Sequence, residues 1–165
     1  MNRTPPPLNV YLPLSMNFST TVAIGIEDPF GREDLAKILV GDGFRVLAFD
    51  NGLDMLEYFG DILLLGVEEV LPDLVVIEAC LPGRTGLDLL ADLRYGGWYT
   101  PFVMITSGDE KKLFEDARKL GVAAPNVTVL EAPYEIDTLR ASVFFLLEMA
   151  GPSNEQPHKP RAAAA

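Results

Sequence analysis

Pro72-Asp73-Leu74-Val75-Val76-Ile77-Glu78-Ala79-Cys80-Leu81-Pro82-Gly83-Arg84-Thr85-Gly86-Leu87 decides how this chain folds. Asp73–Ile77 reads as a strand, apolar after its first residue, and an unbroken apolar run of that length suits a strand buried on both faces. An acid, Glu78, stands at its C-terminal end. Pro82 and Gly83 turn the chain, and Thr85 or Gly86 caps a helix running to Tyr95 with Leu87, Leu90 and Leu93 inward. Strand, acid, loop and helix make one β-α unit.

The same order recurs on either side. Thr21–Ile26, Phe44–Phe49, Pro101–Thr106 and Asn126–Leu130 read as strands. Phe30–Val40, Leu53–Leu65, Asp109–Leu120 and Tyr134–Met149 read as helices, the first ended by Gly41 and Gly43 and the fourth by Gly121. The first helix presents Leu35, Ile38 and Leu39 on one face, and the last presents Ile136, Leu139, Val143, Leu146 and Leu147. Five such units imply a parallel sheet covered on both faces by helices. Right-handed crossovers then give an α/β, flavodoxin-like, doubly wound (βα)5 three-layer sandwich of strand order 2-1-3-4-5. A site in such a sheet lies outside the C-terminal strand ends, at the switch point between the first and third strands. That rule selects Glu27, Asp28 and Glu78, with Thr106 and Ala132 at neighbouring strand ends.

The 165 residues divide into a Pro-rich irregular arm (1–20, with Pro5, Pro6 and Pro7 favouring polyproline II), one domain (21–150) and a disordered tail (151–165). A domain of this size buries roughly two-thirds of its surface. With 48% hydrophobic and 22% charged residues the class is soluble and globular. Thirteen Lys and Arg against 24 Asp and Glu give 13 − 24 = −11, a charge that repels a phosphate backbone, so direct nucleic-acid binding is not expected. Cys80 is the single cysteine, which excludes an internal disulfide and suits a reducing compartment. Prolines interrupt the first 20 residues, and apolar stretches such as Ile62–Val67 are too short to cross a bilayer. The expectation is a cytoplasmic protein without a membrane partner.

The strand end at Glu78, the Pro82-Gly83 loop with Gly86, Ile105-Thr106-Ser107-Gly108 and Ala132-Pro133-Tyr134 occur in the order found in a known family. From Thr21 to Met149 the chain resembles a two-component response regulator receiver domain. In that family an Asp at the Glu78 position takes a phosphoryl group. Acids after the first strand hold Mg²⁺ together with it, and a Thr or Ser after the fourth strand and a Lys after the fifth complete the site. Magnesium demands oxygen ligands in near-octahedral array and helps position the phosphoryl group for in-line attack.

By that resemblance, aligning Pro29 and Arg32 without gaps places Ile26 at the first acid, Glu27 at the second and Asp28 at the often acidic third position. A one-residue shift instead puts Glu27 and Asp28 on the pair. Cys80 stands where a backbone carbonyl binds the metal, and Thr106 where the hydroxyl contacts the phosphoryl group. Ala132 replaces the lysine ahead of Pro133, whose preceding peptide is commonly cis in the family, and Val129 stands where many members carry a switching Tyr or Phe. Lys111 and Lys112 are candidate substitute cations, although helix-surface lysines usually face water.

These departures share one consequence. Glu carries its carboxylate about 1.5 Å further out than Asp, and a misplacement of that size costs about 100-fold in rate. Without the lysine, no fixed cation offsets developing negative charge. Glu78 also imitates a phosphorylated Asp only in part, with one negative charge against about −1.5 to −2. The reading is an atypical, phosphorylation-independent pseudo-receiver: a protein–protein interaction module in signal transduction and not an enzyme. It has no cofactor, or weakly held Mg²⁺ at Glu27, Asp28, Glu78 and Cys80. The resemblance implies a protein partner, such as a histidine kinase or a downstream signalling protein, or a homodimer through helices 4 and 5. Phe144-Phe145 favour the last helix as that surface. The Ile62–Leu65 stretch reads either as a wide buried face or as a partner surface.

Two alternatives stand beside it. One is a working phosphoacceptor response regulator in a phosphorelay. The other is an unrelated flavodoxin-like enzyme or cofactor binder, disfavoured because Glu27-Asp28-Pro29-Phe30 would repel a phosphate at the helix N-terminus. The tails are too short and irregular to form a DNA-binding module. Cys80 reads as a small, partly buried residue, Trp98 as packing, and His158 as a polar-tail residue without catalytic work.

Overall fold

The computed structural model describes residues 9–12, 20–65, 71–123 and 126–150. The expected tail (151–165), with His158, and most of the expected arm lie outside the described residues. Among the described residues six strands form one sheet: β1 (Asn9–Tyr11), β2 (Thr21–Gly25), β3 (Arg45–Phe49), β4 (Leu74–Glu78), β5 (Phe102–Thr106) and β6 (Val127–Glu131). Their order is β1-β3-β2-β4-β5-β6. The five parallel strands β2–β6 therefore take the expected 2-1-3-4-5 order, with β1 added antiparallel on the outer edge of β3. The arm is thus not irregular throughout. Three residues without a readable period carry no strand signal of their own, and the edge they pair with supplies it.

Five helices among the described residues complete the sandwich: α1 (Pro29–Gly41), α2 (Gly52–Leu65), α3 (Gly86–Tyr95), α4 (Glu110–Lys119) and α5 (Ile136–Ala150). Alternate side chains of each strand enter opposite cores. Ala23, Leu47, Val75 and Ile77 face α2 and α3, where Met55, Phe59, Leu89 and Leu93 are fully or almost fully buried. Val22, Ile24, Val46 and Val76 face α1 and α5, meeting Leu35, Leu39, Leu139 and Val143.

Some faces differ from expectation. Ile136, expected on the apolar stripe, opens α5 and is exposed, one turn before the buried Leu139. Ile62 and Leu63 pack against the core while Leu64 is 84% exposed, so this stretch is partly a buried face and partly bare. Cys80 is exposed rather than partly buried, because the loop after β4 carries it away from the sheet. Trp98 packs as expected, buried edge-on against Phe59 with ring centres 5.1 Å apart.

The loop after β4 is fastened to the start of α2. Gly52 N–H donates to the Pro82 carbonyl at 2.8 Å, and Gly83 turns at φ +80°, a conformation that suits glycine. A Cβ at Gly52 would lie 2.0 Å from the Arg84 carbonyl oxygen, a backbone atom that cannot swing aside. Gly52→Ala is therefore expected to cost about 2 kcal/mol by overpacking. Urea unfolding of the two chains checks it, and equal midpoints would mean that the loop stands off from α2.

Candidate functional site

The parallel ladders run one step past the strand ends and so align the loops that follow. Ile26 N–H donates to the Phe49 carbonyl (3.1 Å), Ala79 N–H to Ile105 (2.7 Å) and Ala132 N–H to Thr106 (2.7 Å). This brings the loops carrying Glu27, Glu78, Thr106 and Ala132 to one end of the sheet, as the switch-point rule requires.

Glu78 lies at the C-terminal end of β4, opposite Ile105. Its Oε2 accepts the backbone N–H of Glu27 at 2.9 Å, a bond between residues 51 apart in sequence. Arg32, buried on α1, braces the other side of that loop by donating to the carbonyls of Ile26 (2.8 Å) and Glu27 (3.0 Å). The loop after β2 is thereby held with its N–H toward Glu78.

Asp28 has a different task from the one its acidity suggests. It is the N-cap of α1, with Oδ2 accepting from Gly31 N–H at 2.7 Å, and Pro29 opens the helix. Glu27 is exposed in the same loop.

Thr106 is buried, and its hydroxyl accepts from Gly108 N–H at 3.0 Å, which leaves its own proton to donate. The Ala132–Pro133 peptide is cis. Tyr134 is half-buried, and burial pushes its phenol above the ordinary value, with the Glu78 carboxylate adding to the rise. Tyr134 thus lies within electrostatic range of Glu78, an association the sequence reading did not draw although the aromatic after Pro133 was visible.

Neither candidate lysine pairs with Glu78. Lys111 and Lys112 are exposed at the start of α4, and Lys111 lines an open groove of about 540 Å³ with Phe114 and Val127–Val129, between α4 and β6. Among the described residues no cation forms an ion pair with Glu78. Val129 is buried against the α4-side core.

The donor set also tests the implied magnesium. Asp28 is committed to its helix, one Glu78 oxygen is committed to Glu27 N–H, and Ile26 brings no ligand. Among the described residues no group of three or more His, Cys, Asp or Glu side chains is arranged to hold a metal ion. In this arrangement the side chains of Glu27, Asp28, Glu78 and Cys80 do not converge as a metal-holding group among the described residues. No helix among the described residues is long and apolar enough to cross a membrane.

Known proteins share this fold. A family model described as "Response regulator receiver domain" matches residues 24–143. Response regulator protein PmrA of Pseudomonas aeruginosa is 33% identical over 110 residues, covering 64% of this chain and 47% of PmrA. Sporulation initiation phosphotransferase F of Bacillus subtilis is 24% identical over 119 residues, covering 72% of this chain and 86% of that protein. Full-length FixJ from B. japonicum superposes with a TM-score of 0.67 at 25% identity, over 84% of this chain and 62% of FixJ. This chain thus spans about half the length of relatives such as PmrA. The match over most of the domain, carried on the same doubly wound sheet with its strand-end site, removes the unrelated enzyme or cofactor binder from consideration: the chain belongs to the response regulator receiver domain family.

Proposed function

We propose that this receiver domain works as a phosphorylation-independent, protein-binding pseudo-receiver in signal transduction. One observation carries the reading. The acceptor position holds Glu78, whose carboxylate is engaged by Glu27 N–H at 2.9 Å and has no cation beside it among the described residues. Ala132 supplies no charge where the family supplies a lysine. A nucleophile held this way lacks the fixed cation that offsets developing negative charge in phosphoryl transfer.

The apolar set on α4 and α5 supports protein binding. Phe114 on α4 and Phe144, Phe145 and Met149 on α5 are exposed, and Phe114 lines the groove between α4 and β6. Large exposed aromatics of this kind suit the buried centre of an interface. A protein partner or a second copy using α4 and α5 is the occupant we propose for this face.

Amide NMR spectra recorded during a Mg²⁺ titration test the switch-free reading. Resonances of Glu27, Glu78, Cys80 and Thr106 should stay in place at millimolar Mg²⁺. Saturable shifts confined to these residues would mean that a metal site forms after all.

A further inference from the structure

β1 lies on the β3 edge with Asn9 opposite Ala48, Val10 opposite Leu47 and Tyr11 opposite Val46. Without β1, β3 would be the outer strand and would present a row of unpaired backbone groups, a template for any extended segment. Three features mark β1 as a docked segment rather than a structural strand. It has three residues, where each other strand has five. Pro7 and Pro13 bracket it in the sequence, and a residue without an N–H cannot lengthen the ladder. Tyr11 and Thr21 are also closer in the sheet than the sequence between them requires. These residues pair with Val46 and Arg45 on opposite sides of β3, two strand spacings or about 10 Å apart. Residues 12–20 can span about 30 Å when extended.

The seat has a definite chemistry. Tyr11 is half-buried and packs against the α1-side core, as Val40 does. Val10 and Leu12 are exposed. One aromatic anchor and a short ladder hold the segment, helped by a tether that gives it a roughly millimolar effective concentration.

We propose that the β3 edge is a docking site for an extended peptide, and that Asn9–Tyr11 is its resident, displaceable occupant. A protein partner enters by adding its own antiparallel strand, with an aromatic side chain for the seat Tyr11 fills. A strand pairing with all of Arg45–Phe49 makes a longer ladder than β1, which covers only Val46–Ala48.

A labelled synthetic peptide of residues 5–14 serves as the probe, titrated into the full chain by fluorescence anisotropy. Val10→Pro fixes φ and removes the N–H at the middle of the resident strand; Tyr11→Ala keeps the backbone and removes the anchor. Both variants, shown folded by circular dichroism, should bind the peptide at least tenfold more tightly than the unmodified chain. A peptide carrying the same proline should not bind. No binding to either variant, or equal binding to all three chains, would overturn the proposal. Dimerisation of the variants without added peptide would overturn it too, by assigning the bared edge to a second copy.

Discussion

Glu78→Asp combined with Ala132→Lys is expected to accept a phosphoryl group from acetyl phosphate in Mg²⁺ about 10⁴-fold faster than the unmodified chain. The figure joins about 100-fold for placing the carboxylate correctly with about 100-fold for one preorganised charge-stabilising group. Glu78 reaches far enough to accept Glu27 N–H at 2.9 Å. A side chain one methylene shorter draws back from that bond toward the sheet. Ala132 N–H is already fixed to the Thr106 carbonyl at 2.7 Å, so a lysine there starts from a positioned backbone beside Thr106. Each single change should recover no more than about 100-fold, because either variant still lacks one of the two groups. Time courses of intact mass for the four chains measure this. Equal, negligible modification of all four would count against this strand-end pocket as the site.

Arg94→Ala is expected to destabilise the fold by about 3 kcal/mol. Arg94 lies in the last turn of α3 and is 5% exposed. It donates to the carbonyls of Trp98 (2.9 Å) and Thr100 (2.7 Å), and its guanidinium carbon lies 5.4 Å from the Phe102 ring centre and 5.8 Å from that of Tyr99. No carboxylate pairs with it among the described residues, its Nε has no partner, and burial pulls its pKa down to about 10. Because the folded value lies below that of the unfolded chain, the charge opposes folding at neutral pH. That penalty is relieved only as pH rises through about 10. The side chain is kept by what it satisfies: charge-assisted bonds are worth about 1.5–3 kcal/mol each, and truncation orphans two buried carbonyls. The loss should appear as a melting temperature lower by roughly 6–12 °C, and an unchanged midpoint would show that the 96–100 turn holds itself. Arg94→Lys should fall between, since one ammonium cannot fork to both carbonyls.

The sheet was legible in the sequence because its strands are buried on both faces. Leu74–Ile77 admits no other reading, and β2, β3, β5 and β6 fall within two residues of their expected bounds. Caps were legible where a side chain does the capping, as at Thr85, which accepts from Asp88 N–H. β1 was not legible, because Asn-Val-Tyr is made a strand by an edge distant in sequence. Glu78, Thr106 and Ala132 were found through their place after apolar runs. The Arg32 brace and the Glu27 N–H donor were invisible, because backbone groups carry no sequence signal and a buried arginine looks like a solvated one. Arg94 was missed for the same reason. Asp28 was half legible: its acidity suggested a metal ligand, while its position before Pro29 already carried the signature of a helix cap.

The central claim is that the strand-end site does not take a phosphoryl group. Intact mass after incubation with acetyl phosphate and Mg²⁺, with Glu78→Gln as control, tests it most directly. The account predicts no adduct on folded protein. A phosphoryl adduct that disappears in the Glu78→Gln chain would contradict it and make Glu78 a working acceptor.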